Sequence, residues 1–389
     1  MPSVAQETVL RGHCAHARFV WNLAVEQQSW YGQAGRKAAP GWVGQARQLT
    51  EARAENEWLA AGSQMAQQQA LRDFGQAMAN FFAGTHCRPT WRKAGRHEGF
   101  RIVAVRPGHI RRLSRKAGEI WVPKAGWVRF RWSRPVPDGV RSYRVTLDRA
   151  GRWHLAFAAV PAPIPGPGAG EVVGVDRGVT VAAALSTGEL LTIPRLSPGR
   201  QDRLRRLQRQ IARARPGSNR RTRLKRSIAR LRAREVDARR DWCEKTSTAL
   251  ASRFDVIRVE DLNIGNMTRS AKGTTGHPSR NVGAKAGLNR EILASGWGLL
   301  VRRIEDKATG RVEKINPAYT SQRCSACGHV DPKSRESQAG FRCTACGYAC
   351  NADVNAARNI AAGHAVTARR GDRVAGPAKR EPHELLLAC

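Results

Sequence analysis

The stretch CSACGHVDPKSRESQAGFRCTACGYACNADVNAARN, residues 324–359, carries two Cys-x-x-Cys-Gly motifs followed closely by an acidic residue. Zinc in structural sites takes four thiolate ligands, and a tight turn of this kind presents two of them. The glycine after each pair permits the backbone conformation that the turn needs. The spacing therefore predicts a zinc ribbon in which one structural Zn²⁺ is bound by Cys324, Cys327, Cys343 and Cys346.

Three carboxylates occupy positions that suit a metal-dependent nuclease. Asp176 ends the apolar segment EVVGVD, Glu260 ends FDVIRVE, and Asp353 begins the short predicted helix in NADVNAARNIAA. Carboxylates that converge at one edge of a sheet can hold two divalent cations, and Mg²⁺ suits oxygen-rich, partly hydrated sites. Taken singly, each residue is also typical of a turn or a helix cap. Asp261, adjacent to Glu260, is an alternative ligand.

The overall charge indicates a polyanionic partner. The 389 residues include 67 Lys and Arg against 31 Asp and Glu, for a formal charge of +36, while a hydrophobic content of 41% permits folded cores. Such a charge resists compaction unless a polyanion neutralises it. No apolar run approaches the roughly 20 residues of a spanning helix, and the N-terminus lacks a secretory pattern, so no membrane partner is expected. Nine cysteines, four of them in metal-type pairs, favour a reducing, cytoplasmic setting.

The sequence pattern, and with it the predicted secondary structure, changes several times along the chain. Helices are predicted at Ala17–Gln28 and Trp58–Phe82, and a β-rich region of short strands follows from about Arg88. Basic residues alternate there with tryptophans, a pattern that suits phosphate contact and base stacking, although tryptophans that fill a small barrel core are an equal alternative. The segment PAPIPGPGAG, residues 161–170, is the clearest predicted domain boundary.

The second half is predicted to alternate strands with Arg-rich helices. Strands are expected to end at Asp176 and to begin at Val179, and a helical pair broken at 216–219 should bury one apolar stripe on each helix. The stripes comprise Leu204, Leu207, Ile211, Leu224, Ile228 and Leu231. The arginine faces are expected to contact phosphate. The remaining predictions are a strand at 254–260, a polar loop at 267–287, a helix at 289–309 and a strand at 312–316.

The segments GVDRG, VIRVEDLNIGNM, YTSQRCSACG, FRCTACGY and NADVNAARNI, in this order, resemble the TnpB (OrfB) proteins of bacterial insertion sequences, relatives of the compact type V CRISPR effectors. The resemblance covers most of the chain from about Cys14. It implies an RNA-guided DNA endonuclease with a single RuvC-like, RNase H-type site. Asp176, Glu260 and Asp353 match the catalytic carboxylates of the family and would bind two Mg²⁺ ions. The implied partners are a guide RNA and both strands of a target DNA beside a short motif, in the bacterial cytoplasm at the nucleoid. The sequence shows no oligomerisation heptads, which favours a monomer and leaves the oligomeric state open.

The resemblance also implies an α+β multidomain fold: an N-terminal β-barrel wedge domain with a helical recognition insert, then an RNase H-like RuvC α/β domain with an inserted zinc ribbon. The expected boundaries are 1–14 for the start of the wedge region, 15–87 for the recognition domain, 88–162 for the barrel, 171–320 for the RuvC-like domain with an Arg-rich helical hairpin at 200–245, 321–350 for the ribbon, 351–362 for the end of the RuvC domain, and 363–389 for a disordered tail. Family members begin with a strand before the first helix, whereas this chain starts almost at that helix.

Three other functions share parts of this pattern. A compact type V CRISPR effector uses the same chemistry and differs in its gene neighbourhood. A regulator that occupies DNA through a guide RNA without cutting would not require intact carboxylates. A transposase that joins DNA ends shares the RNase H-type fold, but the zinc ribbon and the Arg-rich insertion favour the guided nuclease.

Overall fold

The computed structural model describes residues 2–30, 40–273, 276–277 and 280–363. The predicted tail lies outside these residues, apart from Gly363. The described residues divide into two compact units at the start of the Pro/Gly segment. One contains the residues up to Val160 with Arg215–Arg230, and the other contains Pro161–Ala214 and the described residues from Leu231 to Gly363. Within the described residues, no helix combines the length and the apolar character needed to cross a membrane.

The first unit begins with helices whose bounds differ from the predicted ones. They are α1 (Val4–Trp30), α2 (Trp42–Glu55), α3 (Glu57–Ala61) and α4 (Gln64–Phe82). The predicted helix at 58–82 is wrong in one respect, because it is broken at Gly62. The Ser63 side chain accepts a hydrogen bond from the Ala66 N–H and so begins a new helix. A Cβ at position 62 would also overlap the His16 ring, so the close approach of α1 requires glycine there.

Six short strands follow, as predicted for a β-rich region. They are β1 (Glu98–Val103), β2 (Ile110–Arg112), β3 (Ala117–Val122), β4 (Gly126–Arg131), β5 (Ser142–Leu147) and β6 (Trp153–Phe157). They form two antiparallel sheets, β1-β5-β6 and β2-β3-β4, which share one apolar core with α1 and α4. Among the described residues no ladder joins the two sheets, so the closed barrel of the predicted wedge domain is not confirmed.

The second unit is organised around a five-stranded sheet in the order β11-β10-β7-β8-β9. Its strands are β7 (Val172–Asp176), β8 (Ala183–Leu185), β9 (Leu190–Leu191), β10 (Val256–Glu260) and β11 (Val312–Ile315). β10 runs parallel to β7 and β11, while β7, β8 and β9 are antiparallel. The strand predicted from Val179 starts four residues later. The Gly178 and Val179 carbonyls accept hydrogen bonds from Trp297 and Arg195 side chains and so lie outside the ladder.

The helices and small strands of this half are α5 (Pro198–Arg213), α6 (Asn219–Arg253), α7 (Ile264–Met267), α8 (Val282–Ala294), α9 (Trp297–Lys307), β12 (Gly340–Arg342), β13 (Ala349–Asn351) and α10 (Ala352–Ala361). The single helix predicted at 289–309 is wrong: α8 begins inside the predicted loop, and Gly296, at φ 72°, separates it from α9. A left-handed backbone of this kind favours glycine and ends a helix.

The apolar stripes of the Arg-rich helices are less buried than predicted. No residue of α5 is buried, and of the six stripe residues only Leu231 is. The other five are half-buried. Each stripe has one apolar residue about every third or fourth position, and most of the remaining residues of these helices are charged or polar, so little apolar surface is available to cover. The helix break itself lies where it was predicted, before Asn219.

Gly174 lets α10 pack directly on β7. A Cβ at this position would overlap the carbonyl oxygen of Ala357 and the backbone nitrogen of Ala361, and backbone atoms cannot rotate away. We expect Gly174→Ala to destabilise the second unit by about 3 kcal/mol or more, because α10 must move off the sheet. Thermal unfolding measures the effect. Gly283→Ala, on a helix with nothing within 4 Å of the new methyl group, is the matched control and should be neutral; equal melting temperatures for the two variants would contradict the prediction.

Candidate functional site

The three predicted carboxylates are carried by elements that meet in the second unit. The ladder between β7 and β10 ends at the pair Val175–Val259. Asp176 and Glu260 are the next residues on these neighbouring parallel strands and therefore lie at the same edge of the sheet. Asp353 is the second residue of α10, the helix that packs on β7 at Gly174.

The capped N-terminus of α10 fixes the position of Asp353, the third carboxylate. The Asn351 side chain accepts hydrogen bonds from the backbone N–H groups of Asp353 (3.0 Å) and Val354 (3.2 Å). This cap satisfies two backbone donors that a helix start leaves without a partner. The alternative role for Asp353 as the helix cap is therefore not needed, and its carboxyl group is available to the site.

The electrostatics show that the carboxylates interact. Burial, together with the negative charges of Glu260 and Asp353, raises the pKa of Asp176 to about 7. Burial also raises the pKa of Glu260 and of Asp353. Asp261 differs from them: it is exposed, its backbone N–H donates to the Ile315 carbonyl, and its charge is not among those that raise the pKa of Asp176. The structure thus brings together the three residues that the strand-end argument selected.

Two further side chains bond the carboxylates. The Thr320 hydroxyl donates to Glu260 Oε1 at 2.6 Å, and Arg335 Nη2 lies 3.3 Å from Asp353 Oδ1. Tyr319, just before Thr320, adopts a left-handed backbone at φ 63°, which is strained for a bulky residue. Thr320 and Arg335 were missed by the sequence analysis, because they lie 60 and 18 residues from their partners and belong to no recognisable spacing.

The four predicted cysteines form one compact cluster. Their sulfur atoms all lie within 4.8 Å of one another, with Cys324 3.8 Å from Cys346 and Cys327 3.6 Å from Cys343. Backbone N–H groups, chiefly that of Cys346, stabilise the Cys343 thiolate and lower its pKa to about 6. Four converging sulfurs, one of them easily ionised, fit a structural zinc ion with no open position.

Asparagines of α10 connect the cysteine turn to the carboxylates. Asn355 accepts from the Ser325 N–H and donates to the Arg323 carbonyl, at 2.9 and 2.7 Å. Asn359, one turn later, donates to the carbonyls of Thr320 and Arg323. The first cysteine turn, the threonine that bonds Glu260 and the helix that carries Asp353 are therefore held by one hydrogen-bond network.

The three carboxylates suit a divalent cation because of the kind of ligand atom they supply, although their oxygen atoms do not form a closed cluster. They supply oxygen ligands only. Burial and their mutual repulsion raise the pKa of Asp176, and bound cations would remove the repulsion. Among the described residues only the cysteines have all their ligand atoms within 4.8 Å of one another. The three carboxylates therefore do not form a single closed cluster of ligand atoms.

The raised pKa values predict a pH dependence of stability. Without divalent cations the folded site keeps protons that the unfolded chain releases between about pH 4 and pH 7, so its contribution to stability is present at low pH and is lost as the pH rises through about 7. Between pH 5 and pH 8 we expect wild-type protein to lose roughly 3 kcal/mol more than Asp176→Asn. Urea unfolding of the second unit measures this difference. Asp261→Asn should follow the wild type, and parallel curves for wild type and Asp176→Asn would show that the Asp176 pKa is not raised.

Two family models match the chain. One, described as "Probable transposase" of the OrfB type, matches residues 156–271. The other, described as "Cas12f1-like, TNB domain", matches residues 297–360. The first match contains Asp176 and Glu260, and the second contains Asp353 and all four clustered cysteines.

Individual proteins extend the similarity to almost the whole chain. It is 38% identical to the Escherichia coli (strain K12) protein described as "Putative RNA-guided DNA endonuclease InsQ", over 100% of this chain and 96% of that protein. It is 32% identical to a "Putative RNA-guided DNA endonuclease" of Streptomyces pristinaespiralis, over 92% and 86%. Its fold resembles that of Cas12f1 in a cryo-EM structure of a Cas12f1–sgRNA–target DNA complex, with a TM-score of 0.53 at 14% identity, over 90% of this chain and 81% of that chain.

These similarities define the chain as an α+β protein of the insertion-sequence type with a Cas12f1-like C-terminal region. It belongs to the TnpB (OrfB) family. The resemblance predicted from the sequence motifs is therefore confirmed.

Proposed function

We propose that this protein is an RNA-guided DNA endonuclease that hydrolyses phosphodiester bonds at Asp176, Glu260 and Asp353. The observation that carries the proposal is that Asp176 and Glu260 end neighbouring parallel strands at one sheet edge, close enough to Asp353 on α10 to interact electrostatically. Burial, with the charges of Glu260 and Asp353, raises the pKa of Asp176 to about 7. The names of the relatives support guidance by RNA and cleavage of DNA. The fold likeness is to a protein solved with a guide RNA and a target DNA.

The three carboxylates would hold the Mg²⁺ ions, which supply an activated water and charge stabilisation for the leaving oxygen. The protein's own part is to position the ligands. The strand ends fix Asp176 and Glu260, Asn351 fixes the helix start that carries Asp353, and Thr320 orients Glu260 by donating to one carboxylate oxygen. Arg335 lies beside Asp353, where its charge can also attract a phosphate.

The four-cysteine cluster would hold one Zn²⁺ ion in a structural role. Its connection to the carboxylates through Asn355 and Asn359 indicates that it keeps α10 in register with the site. The sulfurs occupy all four positions of a tetrahedral ion, which leaves none for a substrate.

The polyanionic partners would bind through arginines. α5 alone carries six exposed arginines and one acid: Arg200, Arg203, Arg205, Arg206, Arg209, Arg213 and Asp202. Salt-dependent phosphate contacts are the ordinary function of such a helix. Base pairing by the guide would select the target, while the protein checks a short adjacent motif. With one carboxylate site, the two DNA strands would be cut in turn.

The test is to express the gene with its native flanking DNA and to sequence the RNA that purifies with the protein. The complex is then incubated with Mg²⁺ and a plasmid library that carries the matched target beside randomised sequence. Cleavage that requires both the matched target and the intact carboxylates supports the proposal, and the cut plasmids supply the adjacent motif. A discrete RNA with no cleavage by the wild type would instead favour a guided DNA-binding regulator.

A compact CRISPR effector remains the second candidate, because residues 297–360 match the Cas12f1-like model. The chemistry of the two candidates is the same. The co-purifying RNA separates them: a guide read from the flank of the gene indicates an insertion sequence, and a guide that contains a repeat from an array indicates a CRISPR locus.

A further inference from the structure

Arg177 is a buried cation directly beside the carboxylate site. Only 6% of its surface is exposed, which is rare for an arginine. Its guanidinium Nη2 donates to the backbone carbonyl of Glu260, and among the described residues its Nε has no hydrogen-bond partner. A buried charge of this kind is costly unless neighbouring groups compensate it.

The compensation comes from acids on several elements around Arg177. Burial lowers the pKa of Arg177, and the charges of Glu260, Asp176, Asp261 and Glu305 oppose this change. None of these carboxylates forms a direct ion pair with the guanidinium within the part of the chain that the structure describes. Arg177 therefore acts on the site through its charge and through its hydrogen bond to the Glu260 carbonyl. It does not pair with a carboxylate oxygen, so those oxygens stay available as ligands.

Arg177 connects the ends of both site strands. It follows Asp176 directly at the end of β7, and its side chain donates to the Glu260 carbonyl at the end of β10. The regular ladder between these strands stops one residue earlier, at Val175 and Val259. Arg177 thus supplies the last cross-strand connection at the point where the two carboxylates leave the sheet.

We propose that Arg177 is a positioning residue that clamps the ends of β7 and β10 and sets the separation of the Asp176 and Glu260 carboxylates, and with it the affinity of the site for divalent cations. This inference rests on the proposed function of the site. A fixed separation matters because ions shared between carboxylates tolerate only a narrow range of ligand positions. The positive charge also reduces the repulsion between the carboxylates before cations bind.

The test measures cation binding directly, with full-length, zinc-loaded protein and Mn²⁺ followed by electron paramagnetic resonance. The variants are Arg177→Met, which removes clamp and charge, and Arg177→Lys, which keeps the charge but not the planar fork. Arg258→Met is the matched control. Arg258 lies on β10 two residues before Glu260 and likewise bonds a backbone carbonyl, that of Ala361, but it faces Glu313.

We expect Arg177→Met to bind Mn²⁺ at least tenfold more weakly than the wild type, and Arg177→Lys to recover only part of this loss. Arg258→Met should lower the melting temperature without changing Mn²⁺ affinity. Wild-type affinity in a folded Arg177→Met protein would overturn the inference. If that variant does not fold, wild-type affinity in Arg177→Lys, with the fork lost, overturns it as well.

The experiment separates the inference from the proposed function. Asp176→Asn is included in the same titration, and it should lose the Mn²⁺ signal. Equal Mn²⁺ binding by wild type and Asp176→Asn would contradict both the cation site and the clamp. Weakened binding in Arg177→Met together with no guided cleavage by the wild type would leave the clamp intact and reject only the nuclease function.

Discussion

Asp176→Asn should lower the rate of guided DNA cleavage by at least about a thousandfold, which corresponds to about 4 kcal/mol of transition-state stabilisation. The amide keeps the size of the side chain but cannot carry the negative charge that a divalent cation needs. Asp176 also interacts electrostatically with both Glu260 and Asp353, so its loss affects the whole ligand set. The measurement is single-turnover cleavage of a matched linear target at saturating Mg²⁺.

The control compares the two adjacent acids at the end of β10, Glu260 and Asp261. Glu260→Gln should be as inactive as Asp176→Asn, whereas Asp261→Asn, one residue further on and exposed, should cleave within about threefold of the wild type. RNA binding should be unchanged in all three, because the charge on the helices is untouched. Equal loss in Asp261→Asn and Glu260→Gln would mean that the ligand on β10 is wrongly assigned.

The carboxylates could be predicted from the sequence because their positions depend on local patterns. Apolar runs such as VVGVD and VIRVE identify buried strands, and their last residues are then at a sheet edge regardless of what else packs there. The cysteine cluster has the same property, since each half is a tight turn whose spacing is visible in four residues. The two strand ends and the cluster of four sulfurs lie where they were expected, and the catalytic role of the carboxylates stays a prediction.

The supporting residues could not be predicted in this way. Thr320 meets Glu260 across 60 residues of sequence, and Arg177 meets the Glu260 carbonyl across 83. Such contacts depend on the register of β7 against β10 and on the strained turn at Tyr319, which no local pattern specifies. A buried arginine next to a strand-end aspartate looks like one more surface charge in a chain with 67 basic residues.

The burial of the Arg-rich helices was also predicted poorly from the sequence. Periodicity correctly placed the helices and the break before Asn219, but it could not tell a covered stripe from a half-covered one. The period of a helix reports which residues share a face. How much of that face is covered depends on the neighbour, which the sequence of the helix does not contain.

Removal of zinc should disable cleavage without unfolding the rest of the protein. Cys343→Ser replaces a buried thiolate of the cluster, so we expect loss of the bound zinc and of the ribbon that it closes. The sheet of the second unit has its own core, formed by residues of β7, β8, β10, α6 and α9, and should stay folded. Zinc content by atomic absorption and far-UV circular dichroism test both statements.

The expected effect on cleavage is a loss of about 10- to 100-fold, the size typical when groups that orient a metal ligand are removed. Asn355 and Asn359 of α10 bond the backbone at Arg323, Ser325 and Thr320, so a melted cysteine turn frees the helix that carries Asp353. It also frees the hydroxyl that orients Glu260. Hydrogen exchange in residues 351–361 should increase in Cys343→Ser, in parallel with the loss of activity.

Cys350→Ser is the control for Cys343→Ser, because it removes a nearby thiol that is not a predicted zinc ligand. Cys350 packs against the ribbon core but lies outside the cluster of four sulfurs, so its serine variant should keep one zinc ion and near wild-type cleavage. A zinc-free Cys343→Ser protein that cleaved at the wild-type rate would show that the asparagine network does not carry the ribbon's influence to the carboxylates. Asn359 donates to the Thr320 and Arg323 carbonyls. The network therefore predicts that Asn359→Ala keeps its zinc but cleaves more slowly, and wild-type cleavage by this variant would contradict the network.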